Sequence, residues 1–142
     1  MILENVERRH QIAMESNNPE LKSTEKLAYW FFRLNGCLSI QNFLVHHERR
    51  GYTGTDVDIL AMRFPYRKEL ARSNRPMKDY PIFSHKKIDL IIAEVKTGNC
   101  ELNGPWTDPE RGNMDRVLQA VGAFEPEEIR AVTEALYGQK VY

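Results

Sequence analysis

What this chain of 142 residues has little of narrows its class before any motif is read. Cysteine occurs only as Cys37 and Cys100, far apart and outside any C-x-x-C pairing, which sets aside a zinc ribbon and a disulfide framework. No apolar run approaches the ~18 residues of a membrane span, so no membrane partner is expected. The segment Met1 to Arg9 is charged from Glu4 onward and lacks the apolar stretch of a secretory leader, so the expected location is cytoplasmic. The formal net charge is zero, which argues against a uniformly basic nucleic-acid binder. There is neither an internal repeat nor a low-complexity tract.

What is present fits one compact domain over residues 1–142. Apolar residues make up 42% and charged residues 28%, ordinary values for a globular chain that buries about two thirds of its unfolded surface. The charge is unevenly spread. Arg63, Arg67, Lys68, Arg72, Arg75, Lys78, Lys86 and Lys87 face only Glu69 and Asp79 in that stretch, while acids gather between Glu101 and Glu134. A basic connection over residues 65–87 can track a phosphate backbone, with Arg67, Lys68, Arg72 and Arg75 as the contacting side chains. The competing reading is a solvated loop whose charges serve solubility.

The elements fall in a definite order. Residues 1–17 form an N-terminal helical extension in which Ile2, Val6 and Ala13 lie near one face. Asn18 and Pro19 open a clearer helix as N-cap and first residue, and Asn35-Gly36 stops it. Leu38 to Val45 reads as a strand and Asp56 to Phe64 as another, joined through Gly51 and Gly54 as a hairpin. Pro65, Pro76 and Pro81 keep the basic connection out of any core element. A third strand starts at Asp89 and ends in Glu94-Val95-Lys96. Gly98 to Gly112 reads as a loop. Asn113 then caps a helix through about Phe124, and Pro126 opens another that stops at Gly138. Lys140 to Tyr142 could begin a fourth strand.

The third strand carries the chemistry. Residues two apart on a strand point to the same side, so Glu94 and Lys96 share a face at the end of an apolar run. Upstream, Thr55-Asp56-Val57-Asp58 leads a second apolar run, with both aspartates on one face. Along the helix from Pro19, Leu21, Glu25, Ala28 and Phe32 are spaced by three or four, which puts Glu25 on an otherwise apolar stripe. Each feature has a bland counterpart: a same-face ion pair worth little, a surface carboxylate near a turn, and a Glu at the wet margin of a helix.

Taken together, T-D-V-D-I-L-A, D-L-I-I-A-E-V-K and the Glu-bearing helix resemble the PD-(D/E)xK, or restriction-endonuclease-like, nuclease superfamily from about Leu21 to Gln119. The resemblance implies an α/β fold with an αβββαβ core, a mixed sheet flanked by helices, preceded here by the N-terminal helix. It also implies a metal-dependent nuclease acting on DNA, without excluding RNA, with Mg²⁺ as cofactor and Mn²⁺ as a substitute. Asp58 and Glu94 would bind the metal with the Val95 backbone carbonyl, and Glu25 would be an auxiliary ligand. Lys96 would orient or help deprotonate the attacking water. Asp56 and Gln119 are auxiliary candidates, the latter on the helix that often meets the scissile region in such enzymes. Trp106 could stack on a base, although pinning its loop is the preferred role. The adjacent His46 and His47 point opposite ways and form no joint site. A homodimer is compatible with this reading. The same core also serves silent modules that only bind nucleic acid or protein, and toxin or defence effectors, so these stand as alternatives.

Overall fold

A computed structural model describes residues 19–46, 54–67, 80–99, 101–102 and 104–138. The expected N-terminal helix, the Asn18 cap and the strand at Lys140 to Tyr142 lie outside these residues. The elements run α1 (Pro19–Leu34), β1 (Leu38–Val45), β2 (Thr55–Arg63), β3 (Asp89–Ala93), a single helical turn α2 (Gly104–Thr107), a 3₁₀ turn (Pro109–Arg111), α3 (Asn113–Val121) and α4 (Pro126–Gly138). The protein is thus mixed α/β, with a three-stranded sheet in the order β1-β2-β3. β2 and β3 pair antiparallel, from Ile59 opposite Ala93 to Arg63 opposite Asp89. The connection from Val45 to Thr55 is too short for a parallel crossover, which takes a dozen residues or more, so β1 is antiparallel to β2 as well. The chain divides into two compact units, Met1–Phe43 with Val57–Cys100, and Leu44–Asp56 with Glu101–Tyr142.

In the first unit, β2 is a strand because apolar residues recur every second position. Val57, Ile59 and Ala61 are buried on one face. That face builds the core with Cys37, Phe83 and Val95, and Ala28, Tyr29 and Phe32 of α1 pack against it together with Ile91 and Ala93. Burying a side chain such as Ile59 contributes about 2–3 kcal/mol. The end of α1 follows from Gly36, whose φ of 79° is left-handed backbone. The Cys37 amide donates to the Phe32 carbonyl and the Gly36 amide to the Arg33 carbonyl, both at 2.9 Å, which satisfies carbonyls the helix would leave open. Gly36 also makes room, since a Cβ there would fall 1.2 Å from Arg67 Nη1.

The Arg63 end of β2 departs from the sequence reading. Counted there with the basic cluster, Arg63 is instead only 1% exposed. Its Nε donates to the Asn35 carbonyl (3.2 Å) and its Nη1 to the Ser84 carbonyl (2.9 Å), and it stands 3.8 Å from Asp89 Oδ2. The guanidinium also lies over the Phe83 ring, 5.3 Å from its centre. Asp89 Oδ2 accepts the Ser84 amide, and Ser84 Oγ accepts the amides of Lys86 and Lys87. The chain therefore enters β3 through a turn held by side chains.

In the second unit, α3 and α4 pack through Val117, Leu118 and Ile129. Thr133 Oγ1 donates to Asp115 Oδ1 at 2.5 Å, joining the two helices by a polar link. The segment read as a loop from Gly98 to Gly112 holds two short turns. Asp108 Oδ1 accepts the Glu110 amide at the start of the 3₁₀ turn, and Gly112, left-handed at φ 62°, ends it. Gly112 also takes the N-cap place of α3, one residue earlier than Asn113 was expected to.

Candidate active site

β3 ends at Ala93, ahead of the Glu94-Val95-Lys96 triplet expected to close it. The reason lies on the neighbouring strand. The Val95 amide, which would continue the ladder, donates instead to Asp58 Oδ2 at 2.5 Å. A carboxylate that takes a main-chain donor competes directly with sheet pairing. The β2–β3 register ends with Ile59 opposite Ala93, one residue short of Asp58 and Glu94. Lys96 Nζ lies 2.6 Å from Glu94 Oε1, so the same-side expectation for that pair holds although the regular strand has stopped. The side chains of Glu94 and Lys96 are 12% and 25% exposed.

Two carboxylates, one ammonium and one backbone amide thus meet where β2 and β3 separate. Val95 N–H stabilises the charge on Asp58, and Lys96 stabilises that on Glu94. Asp58 stands on β2, while Glu94, Val95 and Lys96 follow directly on the end of β3.

Glu25 sits elsewhere with respect to the sheet. It is half-buried on α1, one turn before Ala28 and Tyr29, which pack on the core, so it does share their stripe. That helix covers the face formed by Ile59, Ala61, Ile91 and Ala93, whereas Asp58 and Glu94 alternate to the other face. Among the described residues no three side chains of His, Cys, Asp or Glu are grouped as a metal ion would require. Asp58 is linked to the backbone beside Glu94 through the Val95 amide, and Glu25 is not grouped with them.

The remaining sequence candidates divide clearly. Asp56 is exposed and belongs to the second unit. Gln119 is exposed on α3, also in the second unit, where it borders a shallow groove with Asp115, Thr133 and Tyr137. Trp106 is 6% exposed, in keeping with the pinning role. Arg67 is half-buried with its guanidinium against Gly36, and Lys68, Arg72 and Arg75 lie outside the described residues. Arg63 and the Val95 amide are the functional-looking groups that sequence reasoning misassigned or missed. The Val95 amide could have been suspected only from Asp58 standing at a ladder end.

In the same second-unit groove, the Tyr137 hydroxyl is shielded from solvent. Burial raises its pKa above the usual tyrosine range, the nearby Asp115 and Asp108 carboxylates add to the rise, and the Met114 backbone works against it. No helix among the described residues is long and apolar enough to cross a membrane. Comparison with family models, curated proteins and solved structures finds no match for the chain.

Proposed function

We propose that the chain is a metal-dependent nuclease of PD-(D/E)xK type that hydrolyses phosphodiester bonds in DNA. The observation carrying this reading is that the Asp58 carboxylate accepts the Val95 amide, between Glu94 and Lys96, whose Nζ lies 2.6 Å from Glu94 Oε1. The donor set suits a hard divalent cation. Mg²⁺ takes oxygen ligands, keeps several waters, and needs only one or two protein carboxylates. Asp58 and Glu94 would hold it, with the Val95 carbonyl as a further oxygen. Bound there, the ion would supply neutralisation of phosphate charge and acidification of a water.

The protein's own groups do the rest. Val95 N–H fixes the Asp58 carboxylate in place, so its orientation does not depend on the ligand. Lys96 carries a positive charge to the same face, where it can orient the attacking water and stabilise charge that develops on the phosphate. Its ion pair with Glu94 holds the ammonium ready, partly shielded from solvent, which strengthens its effect relative to bulk water.

The second reading is a silent module that keeps the scaffold and binds nucleic acid or protein. It is favoured by the absence of a third metal-binding side chain beside the pair among the described residues. The test is a panel of linear, single-stranded, flapped and branched DNAs incubated with Mg²⁺ or Mn²⁺. We expect metal-dependent products, and a loss on the order of 10³-fold in Glu94→Ala with the fold intact by circular dichroism. No metal-dependent product from any substrate would leave the binding module standing.

A further inference from the structure

The face of the sheet that bears Asp58 and Glu94 ends, at its other extreme, in a groove of different chemistry. Extending the β2–β3 register past Arg63 and Asp89 puts Phe64 opposite Ile88, and both alternate to the Asp58 face. Phe64, Pro65, Tyr66, Arg67, Lys86 and Ile88 line a groove of about 450 Å³ there. Three of these are large apolar or aromatic groups left open to solvent: Tyr66 is 83% exposed, Ile88 56% and Phe64 47%. An exposed aromatic set of this kind marks a binding surface more often than a packing accident.

Its charge restricts the occupant. The lining contains two cations and no carboxylate, and Lys87 beside it is exposed as well. The Arg67 guanidinium packs over Gly36, which has no Cβ to obstruct it. An apolar peptide would gain from the aromatic rings but has no need of the cations. A polyanion with flat apolar faces would use both. Unpaired bases stack on exposed aromatic rings, and the phosphates between them meet Arg and Lys. A duplex keeps its base faces occupied by stacking and offers the rings nothing.

We propose that this groove grips single-stranded nucleic acid, with Tyr66 and Phe64 as stacking platforms and Arg67 and Lys86 as phosphate contacts. As a statement about substrate it rests on the nuclease reading, because it assigns that nuclease a substrate with an unpaired stretch. Phe64 stands six residues along the chain from Asp58, about 20 Å at the rise of a strand. The gripped bases are therefore remote from the bond that is cut, and binding and cleavage can be separated by mutation.

The experiment measures binding of the full chain to a labelled mixed-sequence oligonucleotide by fluorescence anisotropy in EDTA, as a single strand and as a duplex. We expect the single strand to bind at least tenfold tighter. Tyr66→Ala should weaken it by about fivefold or more, and Tyr66→Phe should restore it. Lys86→Ala should flatten the slope of log K against log salt by about 0.7. Duplex binding equal to single-strand binding, or an affinity unmoved by Tyr66→Ala, overturns the proposal and leaves the groove to a peptide or a second copy of the chain. Tyr66-dependent binding without any metal-dependent cleavage keeps the groove and removes the nuclease. Cleavage with Tyr66-independent binding does the reverse.

Discussion

The two ends of the β2–β3 ladder treat charge in opposite ways. At one end Arg63 is enclosed, with two carbonyls, a carboxylate and an aromatic ring arranged around one guanidinium. At the other, the Asp58 carboxylate accepts the Val95 amide and Glu94 pairs with Lys96. The first end is a closed structural knot, in which the charge joins α1, β2 and the turn into β3. The second holds its charges on partly accessible side chains. A ladder only five pairs long thus carries a fastening at one end and a candidate reaction centre at the other.

The contrast is most exposed to test at Arg63. Arg63→Met keeps an apolar stem but leaves the Asn35 and Ser84 carbonyls without this donor and Asp89 without this cation. We expect a loss of about 3 kcal/mol, read as a lower midpoint in urea unfolding at an unchanged slope. A variant as stable as the parent would erase the distinction between the two ends.

A smaller effect is expected at Asp58, where two substitutions separate two contributions. Asp58→Ala removes the acceptor for the Val95 amide and should cost about 1–2 kcal/mol. Asp58→Asn keeps an acceptor oxygen while removing a negative charge beside the Glu94 backbone, so it should melt at or above the parent in EDTA. Added Mg²⁺ should raise the midpoint of the parent and do little for either variant, since a ligand stabilises only through binding the folded form. Equal melting of the two variants would show that the amide contact carries nothing.

The smallest effect lies off the ladder and serves as a reference for both ends. Tyr137 has a raised pKa in the folded chain, so the folded state holds its proton longer than the unfolded state does. Stability from this source is complete below the unfolded value near 10 and falls as pH rises through the folded one. Tyr137→Phe should remove that alkaline decline and leave the neutral-pH melt close to the parent's. A decline that persists unchanged in Tyr137→Phe would assign it to other groups.

Local signals made most of the elements legible. Pro19, Gly36, Pro126 and Gly138 mark helix boundaries by backbone chemistry alone, and the strand Leu38–Val45 was readable to its ends. The three strands and their order follow from alternation and turn residues. What escaped the sequence depends on partners far along the chain. Nothing near Arg63 announces that Asn35 and Ser84 will surround it. The early stop of β3 is caused by Asp58, on a different strand. The turns at Gly104–Thr107 and Pro109–Arg111 are too short to leave a helical period. Glu25 was placed correctly on its own helix stripe, but which face of the sheet that stripe would cover is a tertiary matter. The pairing of Glu94 with Lys96 was legible because it needs only the geometry of three consecutive residues.

The hydrogen bond from Val95 to Asp58 gives the candidate centre its own spectroscopic voice. The Val95 amide proton lies against the Asp58 carboxylate, so its chemical shift reports on the charge of that group. Any cation drawn between Asp58 and Glu94 must compete with that proton for electron density on the same carboxylate. Occupancy of the site is therefore written into the chemical shift of one backbone nucleus, whether or not a substrate has been found.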